Sequence, residues 1–125
     1  MNWEDARTNC MLEPGSDLVS IDSPEEDTYV NGFVPEFGVP IWTGLNDLTT
    51  EGMFEWVNNS TGTYTNFVPG DPNNFGGNEH CVDFRKNGPG WLDSNCELPF
   101  RSLCEIPIPP PQTCPGAAVL SLIHI

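Results

Sequence analysis

Between Gly70 and Cys96 the chain collects side chains that end in oxygen. Asp71 and Asn73 flank Pro72, Glu79 stands shortly before Cys81, and Asp93 follows Trp91-Leu92 shortly before Cys96. Carboxylates and amides are hard donors, and a set made only of oxygen suits calcium rather than zinc or copper. Calcium takes about 6–8 oxygen ligands, more than these side chains supply, so an ion held here keeps positions for water or for two adjacent hydroxyls of a sugar. The condition is geometric: the side chains must converge. Asp, Asn and Pro also favour turns for purely local reasons, so residue type alone leaves an ordinary polar loop as a rival reading.

The 125 residues suffice for one domain and a small core, to which four Trp and seven Phe contribute. A net charge of −14 with only four Lys or Arg argues against nucleic acid and anionic membranes as partners. No apolar run is long enough to span a bilayer, which argues against membrane insertion of this segment, and no export signal is visible. Five Cys without a Cys-x-x-Cys spacing point to disulfides and an oxidising compartment, with the connectivity open. A disulfide-rich chain without a leader reads most simply as a truncated one, with Met1 internal to a longer frame. Asn58-Asn59-Ser60-Thr61 holds two overlapping N-glycosylation acceptors, as in an extracellular glycoprotein.

These side chains need a scaffold. Asn2 to Cys10 reads as a helix with Trp3, Ala6 and Cys10 on one face. Leu18 to Ile21 reads as a short strand. Ser23-Pro24-Glu25-Glu26 is a helix start, with Ser at the N-cap and Pro at the first helical position. That helix is expected to turn Tyr29, Val30 and Phe33 inward. Strands are expected at Ile41–Leu45, Phe54–Val57, Cys81–Phe84 and Arg101–Glu105. Residues 58–80 form a long irregular segment rich in Gly, Pro, Asn and Thr, the kind of loop that is usually functional or disordered. Early helices and later short strands give an α+β class. A Pro-rich linker is expected over 107–113, followed at 114–125 by the remnant of a further domain. The last residues, Leu120 to Ile125, resemble the translated adapter of a sequencing library; a short apolar strand is the rival reading.

Several motifs in order carry a resemblance. They are Trp3-x-x-Ala6-x-x-x-Cys10, Leu18-Val19-Ser20-Ile21, Trp42-Thr43-Gly44-Leu45-Asn46-Asp47, Glu51-Gly52-x-Phe54-Glu55-Trp56, and the series Cys81, Trp91, Cys96, Cys104-Glu105. Over residues 1–106 the chain resembles the C-type lectin-like domain, with the usual first strand missing. The resemblance implies two helices packed on small antiparallel sheets and a long disulfide-anchored loop. It pairs Cys10 with Cys104 and Cys81 with Cys96, each bridge worth about 2–4 kcal/mol in the chain-entropy picture. Cys114 is then left over. No enzyme is implied, and no nucleophile–base pair shares a motif here.

The resemblance also assigns roles. Asp71-Pro72-Asn73 looks like the first calcium motif, with a cis peptide before the proline; Glu79 and Asp93 match the later ligands. The acid-then-amide order is similar to that of mannose, fucose and GlcNAc binders. Asp47 and Glu51 match two ligands of a second calcium, where Asn74 and His80 stand in for carboxylates. His80 itself reads as a solvated residue or one that supports the ligands. There are two departures: Asp71 is one methylene shorter than the usual Glu, and Leu92 replaces an Asn that supplies an oxygen and an amide donor. Calcium affinity is therefore expected to be no better than about 10⁻⁴–10⁻³ M. Trp3, Trp42, Trp56 and Trp91 read as core, whereas Phe67 and Phe75 could flank a sugar face. The implied cofactor is calcium and the implied partners are glycans of mannose type, met in secretion or on the extracellular side of the cell surface. Leu92 keeps a second possibility in play, a scaffold that binds protein ligands without calcium. Neither the sugar nor the oligomeric state follows from the sequence.

Overall fold

The structure is a computed structural model and describes residues 1–34, 39–85, 90–107 and 121–124. Helix α1 spans Trp3–Cys10, with the Asn2 side chain accepting from the Asp5 N–H at 2.9 Å. Helix α2 spans Pro24–Phe33, with the Ser23 hydroxyl accepting from the Glu26 N–H at 3.1 Å. These caps satisfy N–H groups that the first turn cannot pair internally. Trp3, Ala6 and Cys10 are buried along α1. On α2 only Val30 is buried; Tyr29, expected inside, is 51% exposed and meets Phe33 edge-on.

The strands are β1 (Asp17–Leu18), β2 (Pro40–Asn46), β3 (Glu55–Trp56), β4 (Glu79–Arg85), β5 (Trp91–Asn95), β6 (Arg101–Ser102), β7 (Cys104–Pro107) and β8 (Ser121–His124). One sheet runs β1-β7-β8 and the other β3-β2-β4-β5, with β6 parallel to β2. The arrangement confirms the α+β class and most of the expected strands; the strand expected at Leu18–Ile21 is instead Asp17–Leu18, and a break at Leu103 splits the last one. β5 is the element that propensity did not announce, because Asp93-Ser94-Asn95 are poor strand formers. It forms because β4 offers it a partner edge, with Val82 opposite Asp93 and Phe84 opposite Trp91. Of the expected linker and the segment after it, only Pro107 and 121–124 are described. The pairing of β8 with β7 uses main-chain groups, which is how an open strand edge is commonly covered.

Two buried clusters fill the interior. One gathers Val19, Ile21, Val30, Ile41, Leu45, Trp56, Phe84, Trp91 and Leu103; the other holds Trp3, Ala6, Leu18, Trp42 and three of the cysteines. All four tryptophans are core, as their places on regular elements implied. Cys10 joins Cys104 and Cys81 joins Cys96, across 94 and 15 residues. In the chain-entropy picture the longer closure stabilises by about 4–5 kcal/mol and the shorter by about 3 kcal/mol. The first bridge ties α1 to β7, and the second fixes the chain after β5 to β4, the strand that follows the long loop.

Candidate functional site

The long loop is tied down before it reaches the oxygen donors. Phe67 bridges to Trp91, the Val68 N–H donates to the Trp91 carbonyl at 2.9 Å, and the Trp91 N–H donates to the Asn66 carbonyl at 2.7 Å. This approach requires glycine at position 90: φ is +144°, and a Cβ there would run into the Asn66 carbonyl oxygen. A second tether comes from α2. The Asp27 carboxylate accepts from Tyr64 Oη at 3.2 Å, Asn66 Nδ2 at 3.1 Å and Trp91 Nε1 at 3.2 Å. Nothing in the sequence singles out Asp27, since an acid in the first turn of a helix is ordinary. Phe67 is part of this anchor: it packs against Trp91 and Phe54 with ring centroids 5.7 and 5.5 Å away. Its expected place beside a sugar is thus filled by core.

Past the anchor, the Asp71–Pro72 peptide is cis. Asp93, on β5 and 3% exposed, organises the turn beyond it. Its carboxylate accepts the Asn73 N–H (3.2 and 3.1 Å) and the Asn74 N–H (2.7 Å). Asn74 sits in the left-handed region at φ 45°, and its Oδ1 accepts the Glu79 N–H at 2.9 Å, closing the turn onto β4. The Phe75 N–H points at Asn73 Oδ1 (3.2 Å) and Glu79 Oε1 (3.0 Å). The Phe75 ring is left 77% exposed. Asp71, Asn73, Glu79 and Asp93 therefore belong to one local structure spanning the proline turn, β4 and β5.

The electrostatics agree with that proximity. Burial pushes the Asp71 carboxyl up, and the charges of Asp93 and Asp83 add to it. Glu79 is likewise raised by burial and by Asp93, Asp71 and Asp83, against the pull of the Phe75 N–H. Asp83, also raised by its burial, is held by the Ser94 hydroxyl at 2.6 Å and by Arg85 Nε at 3.0 Å. Among the described residues no ion pair reaches Asp71, Glu79 or Asp93. A group of mutually repelling carboxylates with an amide beside them is a donor set that fits a hard cation. Leu92, half-buried opposite Asp83, contributes no polar atom. A groove of about 560 Å³ lined by Leu45, Phe54, Trp56, Thr61 and Tyr64 contains none of these donors.

A second group lies at the end of β2. Asp47 Oδ1 is 3.1 Å from His80 Nδ1, and Glu51 Oε1 is 3.3 Å from the same nitrogen. His80 is therefore engaged with two carboxylates rather than merely solvated. Asn74, expected with this group, has its side-chain oxygen on the Glu79 N–H instead. Glu79 and His80 are neighbours on β4, at a register shift in its pairing with β5, and their side chains make contacts in different clusters. One strand thus serves two clusters.

Comparison with known proteins agrees with this geometry. The mouse C-type mannose receptor 2 is 34% identical over 106 residues, which cover 84% of this chain and 7% of the receptor. Among solved structures, the C-type lectin CEL-I from Cucumaria echinata superposes with a TM-score of 0.76 at 31% identity, covering 83% of this chain and 81% of that one. The cow C-type carbohydrate-recognition domain of CD23, solved in the presence of an oligosaccharide of GlcNAc and mannose, gives a TM-score of 0.73 at 34% identity, with 83% and 78% covered. Residues 1–106 match the lectin C-type domain family. With its two helices, paired sheets and loop-anchoring disulfides, the chain belongs to that family of binding modules, which are not enzymes.

Proposed function

We propose that the domain binds carbohydrate in a calcium-dependent manner, with a preference of the mannose, fucose and GlcNAc type. One observation carries the reading: a buried strand carboxylate, Asp93, holds the proline turn by its N–H groups while its charge bears on both Asp71 and Glu79. Calcium, when bound by Asp71, Asn73, Glu79 and Asp93, supplies open coordination positions for two adjacent sugar hydroxyls. Asp71 and Glu79 accept the hydroxyl protons. Asn73 turns its Oδ1 toward the Phe75 N–H, which leaves its NH₂ to donate to a sugar oxygen. Phe75 projects from the same turn and offers its ring to the apolar face of the ligand. The mannose-type preference rests on the acid–amide order of Asp71 and Asn73. It is in keeping with the mannose receptor relative and with the oligosaccharide present on the solved cow domain.

Recognition through an ion on a shallow surface suits weak single sites that gain strength by multivalency. The two disulfides suit an oxidising compartment, in line with secretion or the extracellular side of the cell surface. Among the described residues no helix is long and apolar enough to cross a membrane. Leu92 supports a second reading, a scaffold that binds protein ligands without calcium. Calcium titration by calorimetry, followed by a glycan array with and without chelator, decides between them. The proposal expects calcium binding near 10⁻⁴–10⁻³ M, within the roughly millimolar extracellular range, and glycan signals that the chelator removes. Glycan signals that persist in chelator, or no calcium uptake at all, would refute it.

A further inference from the structure

The group at the end of β2 does not have the chemistry of a second calcium site. We propose that Asp47, Glu51 and His80 form a separate metal site for a zinc-class ion. Their ligand atoms all lie within 4.8 Å of one another. Calcium is served by oxygen, whereas imidazole nitrogen with two carboxylates is a zinc-type donor set. The spacing fits as well. Zinc bonds of about 2.0–2.2 Å in a tetrahedron put neighbouring ligand atoms about 3.3–3.6 Å apart. His80 Nδ1 stands 3.1 Å from Asp47 Oδ1 and 3.3 Å from Glu51 Oε1, so small adjustments admit an ion between them.

The site is built rather than incidental. The Asp47 side chain is 1% exposed, and its second oxygen accepts the Gly52 N–H at 2.9 Å, which orients the first toward His80. The Asp47 N–H donates to the His80 carbonyl at 3.0 Å, so the backbone sets two of the ligands against each other before any ion arrives. Such outer contacts are what hold metal ligands in register. Glu51, with its side chain 56% exposed, leaves an entry path. A further position stays open for water, as in zinc sites with three protein ligands. The same contacts would also serve a histidine ring hydrogen-bonded among two carboxylates without a metal, and the experiment separates the two.

The full chain carrying Cys114→Ser and His124→Ala, so that the other thiol and imidazole take no part, is stripped of metal and titrated with zinc chloride at neutral pH. Saturating calcium chloride is present throughout to occupy the oxygen cluster. One zinc per chain is expected. His80→Asn and the exposed Glu51→Gln should each weaken uptake by more than about tenfold. Asp71→Asn should leave zinc uptake unchanged while abolishing calcium-dependent glycan retention, so this site and the lectin reading stand or fall separately. Zinc uptake that fails to occur, that survives His80→Asn, or that calcium displaces would overturn the proposal and leave only a hydrogen-bonded side-chain cluster.

Discussion

Two donor clusters share strand β4, yet their donor chemistry differs. The Asp71 cluster is all oxygen, lies in a long loop, and depends on remote tethers to Trp91, Asp27 and β5. The Asp47 cluster contains an imidazole, joins the turn after β2 to β4, and is set by one local bond from the Gly52 N–H and one bond from the Asp47 N–H across to the His80 carbonyl. Glu79 and His80 are consecutive, so a difference of one residue along the strand selects which cluster a side chain enters. Both clusters stand where the resemblance places calcium ligands; on the proposed reading, imidazole in place of one carboxylate changes the class of ion that the second would hold.

The largest expected effect falls on Asp93. Asp93→Asn keeps the shape but removes a buried charge that anchors the turn and, in the proposed site, is a ligand. Loss of a charged hydrogen-bonding group costs about 1.5–3 kcal/mol, so calcium affinity should fall by roughly tenfold to more than a hundredfold. Zinc uptake should not change. Calorimetry with each ion checks this, and a parallel loss of zinc would dissolve the distinction between the clusters.

Next in size is Leu92→Asn, which places an amide beside Asp93 on β5. Calcium and sugar should each bind about tenfold tighter, again without effect on zinc. Unchanged affinities would mean that the oxygen cluster is not arranged around that position.

The smallest effect belongs to a carboxylate outside both clusters. Glu26, on α2, is raised from 4.5 to about 7 by its burial and by the charges of Glu105 and Asp22, and its Oε1 has no hydrogen-bond partner. A raised acid binds its proton more tightly when folded. Its contribution is therefore fully present below the unfolded value of 4.5 and is lost as pH rises through about 7. Because the side chain is only partly shielded from solvent, Glu26→Gln should stabilise by only about 1 kcal/mol under mildly alkaline conditions and by nothing under acidic ones. Thermal melts at the two extremes test the sign. A stabilisation of the same size in acid would assign the effect to packing and not to charge.

Much of this was legible in the chain. The Asn2 and Ser23 caps, the buried face of α1 and the paired strands around Trp42 and Trp56 follow from local rules of capping and alternation, which act over a few residues. The proline turn and its candidate donors were also visible, through the family motif. Tyr29 and Phe67 went the other way. Helical spacing put Tyr29 inside, but Val30 and, in part, Phe33 take the inward positions; Phe67 lies in a loop sequence, yet the loop folds back and packs it against the core.

The sequence alone determined which donors exist and how far apart along the chain they lie: four oxygen-bearing side chains for one cluster, and two acids with a histidine for the other. Only the tertiary structure decided which of them meet. Val82 pairing with Asp93, Gly90 letting the loop's Asn66 carbonyl approach Trp91, and Asp27 reaching across to Trp91 are contacts between residues distant in sequence. Their energies depend on burial and backbone approach, which no local pattern encodes.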